Sequence, residues 1–289
     1  MSDRIEVQKT YKTYIDGTFL RTESGRYYKV YDGNGDIRAN ACQCSRKDVR
    51  DAVTAARSAF EGWSNRTAFN RGQILYRVAE MLETRKAQFA EELETVGYKA
   101  KDARSEVEAS IDRLIYYAGW SDKYQQVFGS INPVASSHFN FSLPEPTGVV
   151  TIWAPEEQPL LGLVSVVAPV MVGGNTCVVL SSEKYPLSAI SFAEVLHSSD
   201  VPAGAVNILT GFRKELLKHM TSHMDVNAFF YTDPDIDREQ RKQIDEYGAL
   251  NLKHIIRKSV DNWEDKESKS PYFITDFQEI KTTWHPVGF

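Results

Sequence analysis

Two adjacent glutamates, Glu156 and Glu157, stand in the stretch APEEQP, between a β-branched run, VVTIW, and an apolar helical run. Such a joint, where a parallel strand gives way to a helix, is where α/β proteins usually hold ligands. Two carboxylates facing a common point could do acid–base work, as in glycosidases, but adjacent residues in a turn diverge. They are read first as turn residues. Nucleophiles are few: the chain has three cysteines, Cys42, Cys44 and Cys177. Cys42 and Cys44 are two apart, so a strand would turn both to one face, and no second cysteine pair completes a metal clip. Cys177 lies in TCVVL, which reads as a buried strand, where thiols are inert. His219 and His223 have the i, i+4 spacing of metal ligands on a predicted helix. A third ligand is missing, and the structural reading is preferred.

The elements that must position these residues follow from periodicity. KTYIDGTF and RYYKVYDGNGDIRANACQC alternate around Asp-Gly and Asn-Gly turns, the chemistry of β-hairpins. Residues 45–64 switch to a helical period, with Ser45 as N-cap and Val49, Ala52, Val53, Ala56 and Phe60 as the apolar stripe. Further helices are expected over about 69–97 and 103–125. Residues 129–146 change to short polar and aromatic alternation bounded by prolines, which reads as an exposed hairpin or arm. From Gly148 onward strands and helices alternate, with helices near 160–172, 188–198, 214–222 and from about Pro234. Repeated βα order implies a parallel sheet covered by helices. VDNWEDKESKSP then reads as a charged linker leading to a last strand pattern over residues 272–284.

With 42% hydrophobic and 25% charged residues in 289, the chain can bury a full core. A net charge of −5, with basic residues dispersed, offers no stripe for a phosphate backbone, so nucleic acid is not an expected partner. No stretch approaches the ~18 to 20 apolar residues of a membrane span, and the start is not a signal peptide. A cytoplasmic address is the expectation.

Five separated blocks then carry a resemblance: GVVTIWAP, MVGGNTCVVL, SEKYPLSA, VPAGAVNILTG and SHMDVNAFFYT occur in the order and spacing of the aldehyde dehydrogenase superfamily, and YYAGWSD agrees. HFNFSLPEPTGVV and EIKTTWHPVGF look most like the truncated second half of aldehyde dehydrogenase family 16. The resemblance implies an α/β fold with a Rossmann-type parallel sheet, a helical N-terminal part and a β oligomerisation arm, the catalytic domain being missing. The expected division is 1–121 for the N-terminal hairpin and helices, 122–147 for the arm, 148–258 for the βα domain, 259–271 for the linker and 272–289 for the last strand.

Members of that superfamily use a cysteine nucleophile, a glutamate base, an asparagine oxyanion donor and NAD(P). The asparagine belongs to a Pro-Trp-Asn-Phe-Pro turn, so Glu157 occupies its position, and a carboxylate repels a developing oxyanion. The Glu-Leu-Gly-Gly-Lys turn of the base corresponds to GALNLKHIIRK, without a glutamate. No cysteine follows Cys177, and the stretch after Lys253 is short beside the on the order of 100 residues a catalytic domain needs. At the dinucleotide positions, Leu180 replaces the ribose-binding lysine while Glu183 remains. Asp233 and Pro234, an N-cap and N1 pair, stand where helix amides would meet pyrophosphate. Gly211 leads straight into Phe212, Arg213 and Lys214; either cation could attract an anion, and the solvated reading of a surface loop is preferred.

No bound cofactor is therefore expected, and no metal. The resemblance implies a pseudoenzyme that assembles with a complete aldehyde dehydrogenase or with itself, using Phe139, Phe141, Phe277, Ile280 and Trp284 at the interface. The alternative is an NAD-binding subunit that completes a dehydrogenase site with a cysteine-bearing partner.

Overall fold

The computed structural model describes residues 7–232 and 236–288. The chain opens with β1 (Thr10–Tyr11), β2 (Thr13–Ile15), β3 (Thr18–Leu20), β4 (Tyr27–Tyr31) and β5 (Ile37–Cys42). Asp16 and Gly17 both take positive φ, 50° and 70°, which is what a two-residue hairpin turn between β2 and β3 demands. Helix α1 (Arg46–Ser64) starts at Ser45 with a full capping box, and Val49, Ala52, Val53 and Ala56 are buried as the periodicity requires.

The long helical pattern over 69–97 is two helices, α2 (Ala68–Thr84) and α3 (Lys86–Thr95). The break is at Arg85, which no proline or glycine announces. There the side chain turns to ion-pair with Glu194 on a later helix. α4 (Ala100–Trp120) and the short α5 (Tyr124–Phe128) follow, also separated where one helix was expected. The arm consists of β6 (Ser130–Asn132) and β7 (His138–Pro146).

The βα series comprises β8 (Val149–Trp153), α6 (Leu161–Val172), β9 (Thr176–Leu180), α7 (Leu187–His197), β10 (Val206–Leu209), α8 (Arg213–Thr221), β11 (Ala228–Thr232), α9 (Arg238–Ala249) and β12 (His254–Lys258). Its strands pair in parallel, and β2 and β3 add antiparallel to one edge, giving the order β12-β11-β8-β9-β10-β2-β3. Alternation along each strand divides two cores. Val150, Ile152, Val179 and Phe230 face α2, α4 and α6. Trp153, Leu180, Leu209 and Phe229 face α1 and α8. All twelve residues of α6 are buried. At about 1.5–3 kcal/mol for each fully buried Val or Leu, this helix anchors the first core.

A helix so enclosed cannot send its first amides to water. Glu106, on α4, accepts from Leu160 N at 2.8 Å and Leu161 N at 3.2 Å. This buried carboxylate is the cap that the sequence around α6 does not supply.

After β12, residues 259–271 include a 3-10 turn, Lys266–Ser268, and lead to α10 (Tyr272–Thr275) and β13 (Gln278–Pro286). Two expectations change here. The stretch is not a loose linker, because Trp263 and Ser268 are buried. The last strand begins at Gln278, and Phe277 ahead of it is fully buried against Phe230, with ring centroids 5.9 Å apart. Phe277 belongs to the chain's own core and not to an exposed strand. β13 pairs antiparallel with β7 through nine residues, and β6 completes a three-stranded sheet.

Candidate functional site

The order β12-β11-β8-β9-β10 reverses direction at β8, so the crevice beyond the carboxyl ends of β8 and its neighbours is the ligand position of an open α/β sheet. The turn leaving β8 runs through Pro155, Glu156, Glu157 and Gln158. It places the two glutamates in different surroundings.

Glu156 turns inward over the end of β9. Its Oε2 accepts from Ser182 Oγ at 2.7 Å, Glu183 N at 3.0 Å and Lys184 N at 3.2 Å, while Oε1 lies 2.8 Å from the Arg213 guanidinium. The side chain is 20% exposed and that of Arg213 only 7%. Arg213 also donates to Ala154 O at 2.5 Å and lies over the Trp153 ring, 5.5 Å from its centroid. The expectation of a solvated Arg213 is thus corrected: the first turn of α8 carries the guanidinium under the β8 turn. Lys214 is exposed as expected.

Glu183 accepts from Arg213 N at the start of α8. Burial pushes its carboxyl above the usual range, and that amide works in the opposite direction. Leu180 is fully buried among the apolar side chains facing α1 and α8 and offers the crevice nothing polar.

Glu157 points the other way. It pairs with Lys184 at 3.2 Å, with the two side chains 70% and 59% exposed, the geometry of a solvent-screened surface pair. Gln158, in a left-handed conformation at φ 51°, accepts from Trp263 N at 2.6 Å. Between β8 and β11 this leaves a crevice of about 160 Å³, lined by Pro155, Glu157, Gln158, Thr232, Val260, Asp261 and Trp263. Asp233 and Pro234 lie outside the described residues. The described helix α9 begins at Arg238, and Asp237 caps it with a full capping box.

The other candidates are scattered. Cys42, Cys44 and Cys177 are all buried and unbridged, and burial pushes the thiols of Cys44 and Cys177 upward. His219 is on α8, but His223 lies beyond the helix end at Thr221, so helical spacing does not bring the two together. Among the described residues no group of three or more His, Cys, Asp and Glu converges as a metal site. Phe139 and Phe141 are neighbours on one face of the arm sheet, with rings 5.5 Å apart, whereas Ile280 and Trp284 occupy the other face, and Phe139, Ile280 and Trp284 are exposed. No helix among the described residues is long and apolar enough to cross a membrane.

What sequence reasoning missed was the role of Glu156 and of the residues that hold it. The one available signal was Arg213, which opens the helix after the third strand of the βα series. Its partner lies 57 positions earlier in the chain, beyond any local pattern.

Comparison with known proteins places the geometry. The aldehyde dehydrogenase family pattern matches residues 19–234. Retinal dehydrogenase 2 of Gallus gallus is 32% identical over 258 residues, covering 87% of this chain and 48% of its own length. Cytosolic 10-formyltetrahydrofolate dehydrogenase of Mus musculus is 33% identical over 246 residues, 79% of this chain and 26% of that protein. Among solved structures, an NAD+ complex of aldehyde dehydrogenase from Bacillus cereus superposes with a TM-score of 0.81 at 27% identity, covering 87% of this chain and 51% of that one. The chain spans about half the length, or less, of the relatives it matches.

Proposed function

The chain belongs to the aldehyde dehydrogenase family, and from that premise we propose that it is a non-catalytic subunit which assembles, in the cytoplasm, with a complete aldehyde dehydrogenase or with itself. The observation that carries this reading is the arm sheet. Strands β7 and β13 pair through nine residues, yet Ile131, Phe139, Leu143, Ile280 and Trp284 stay exposed on its two faces. Apolar side chains gathered on so thin a layer are usually covered by a partner. An interface of at least ~1,000 Å² would be needed for a stable assembly.

The chemistry of the site supports the same reading. The three cysteines are buried, and Glu157, in the position of the oxyanion donor, is a solvated carboxylate paired with Lys184. The residues at the ends of β8, β9 and β10 do not fit a dinucleotide. The donors an anionic cofactor requires already hold Glu156, whose charge repels a phosphate, and Leu180 faces the core. The remaining crevice is about 160 Å³, below the ~300–1,000 Å³ of ordinary ligand pockets.

The test is purification of the protein from its source under native conditions, identification of co-purifying chains, and light scattering of the purified chain. A dehydrogenase partner or a defined homo-oligomer is expected. A monodisperse monomer with no such partner would overturn the proposal.

A further inference from the structure

The carboxylate of Glu156 rests on donors from two other segments: the Ser182 hydroxyl and the successive amides of Glu183 and Lys184 after β9, and the Arg213 guanidinium at the start of α8. We infer that these residues form an oxyanion-binding cradle which the chain fills with its own side chain, so that Glu156 acts as a tethered ligand. The inference concerns the chain alone and does not rest on its role as a subunit.

Three features separate this arrangement from an ordinary ion pair. The first is the donor set. Oε2 takes three neutral donors and Oε1 faces the cation, so both oxygens are satisfied and the array matches a small carboxylate or phosphate, with the neighbouring Glu183 carboxylate opposing any second negative charge. The second is the burial of Arg213, whose side chain is 7% exposed. A guanidinium so placed is packed in one position, and a carboxylate facing it is held more firmly than across a solvent-screened surface pair. The third is access. Glu156 is 20% exposed, so its position is reached from solvent and is not sealed in the core.

Successive backbone amides beside a fixed cation form an anion-binding concavity independently of what fills it. Truncating Glu156 should therefore leave a formed, vacant site. A small oxyanion would enter it and restore what the carboxylate contributed.

The experiment is thermal unfolding of Glu156→Ala, Glu156→Gln and the unaltered chain in sodium acetate and in inorganic phosphate, each against sodium chloride at matched ionic strength. Glu156→Ala is expected to melt below the unaltered chain and to regain about 2–4 °C, saturably, in acetate or phosphate. The unaltered chain and Glu156→Gln, whose carboxamide occupies the same space, should not respond. Acetate alone acting would mark the cradle as carboxylate-sized, and phosphate acting as well would mark it as open to larger oxyanions. Both support the inference.

An anion response of Glu156→Ala no greater than that of the other two proteins would overturn it. Should Glu156→Ala not fold, the amide resonances of Glu183 and Lys184 in the unaltered chain serve instead. A tethered carboxylate keeps them unmoved up to about 50 mM phosphate, and a saturable shift below that overturns the inference.

Discussion

Arg113 on α4 donates to the carbonyl oxygen of Trp263 at 2.6 Å, and with its other terminal nitrogen to Ser268 O at 2.7 Å. One buried guanidinium thus fastens both ends of the turn that crosses from β12 towards α10. Tyr117, on the same helix, donates to Ser270 O at 3.1 Å, and Trp263 N reaches back to Gln158 beside the crevice. Residues 259–271 are a strap held by side chain to backbone bonds, which is why so charged a sequence is ordered here.

Arg113→Met should therefore release the strap. Losing charge-assisted bonds to buried carbonyls is expected to cost about 2–4 kcal/mol. Urea unfolding checks the magnitude, and amide exchange should rise first in residues 259–271. Uniform exchange with no local increase would count against the fastening.

Glu106 makes stability depend on pH. Burial lifts its carboxyl from 4.5 to about 7, while the Leu160 and Leu161 amides act in the opposite direction. The folded chain therefore holds this proton more tightly than the unfolded one. The stability it contributes is fully present below about pH 4.5 and is lost as pH rises through about 7, a change on the order of 3 kcal/mol. Glu106→Gln keeps an acceptor for the two amides without the charge, so it should flatten this dependence and be the more stable protein at pH 8. Parallel stability profiles for the two proteins between pH 5 and 8 would sink the assignment.

Pairing register sharpens the assembly test. Ile280 lies opposite Pro144 and Gln278 opposite Pro146, and a proline donates no bond, so these are non-hydrogen-bonded pairs. Thr147 N donates to Phe277 O, in phase with that alternation. The N–H of Ile280 hence points to the outer edge of β13, away from β7. Ile280→Pro should abolish assembly through that edge while changing the chain's own stability by only about 1 kcal/mol. Sedimentation with a denaturation curve checks both. An unchanged oligomer would exclude edge pairing at this position.

The chain alone should not form NADH from any aldehyde. Its three thiols are buried, and burial pushes Cys44 and Cys177 towards the unreactive neutral form. Glu157→Asn should not restore activity, because it supplies an amide without a nucleophile. Aldehyde-dependent absorbance at the NADH band from purified chain would refute this.

Much of the architecture was legible because it rests on local rules. The Ser45 N-cap, the Asp16-Gly17 hairpin turn and the repeated βα order depend on neighbours within a few residues, and each was found where expected. Where helices end was less legible. No breaker residue marks the break at Arg85, whose side chain pairs with Glu194 on α7.

The candidate site was legible only as a place. Sequence order located the turn after β8, and the five matching blocks located the residues that flank it. Which glutamate faces inward was decided by tertiary structure. Glu156 is held by Ser182, Glu183, Lys184 and Arg213, whereas Glu157, one residue on, meets water and Lys184.

The same holds for Arg213, read as solvated and found buried, and for Phe277, read as strand surface and found in the core. Composition and periodicity fix which residues must leave water and with what repeat, since burial of apolar surface acts along each element. They do not fix which distant side chain supplies the counter-charge to a buried cation or the acceptor for a buried amide. That choice is made only when the ends of β8, β9 and α8 come together.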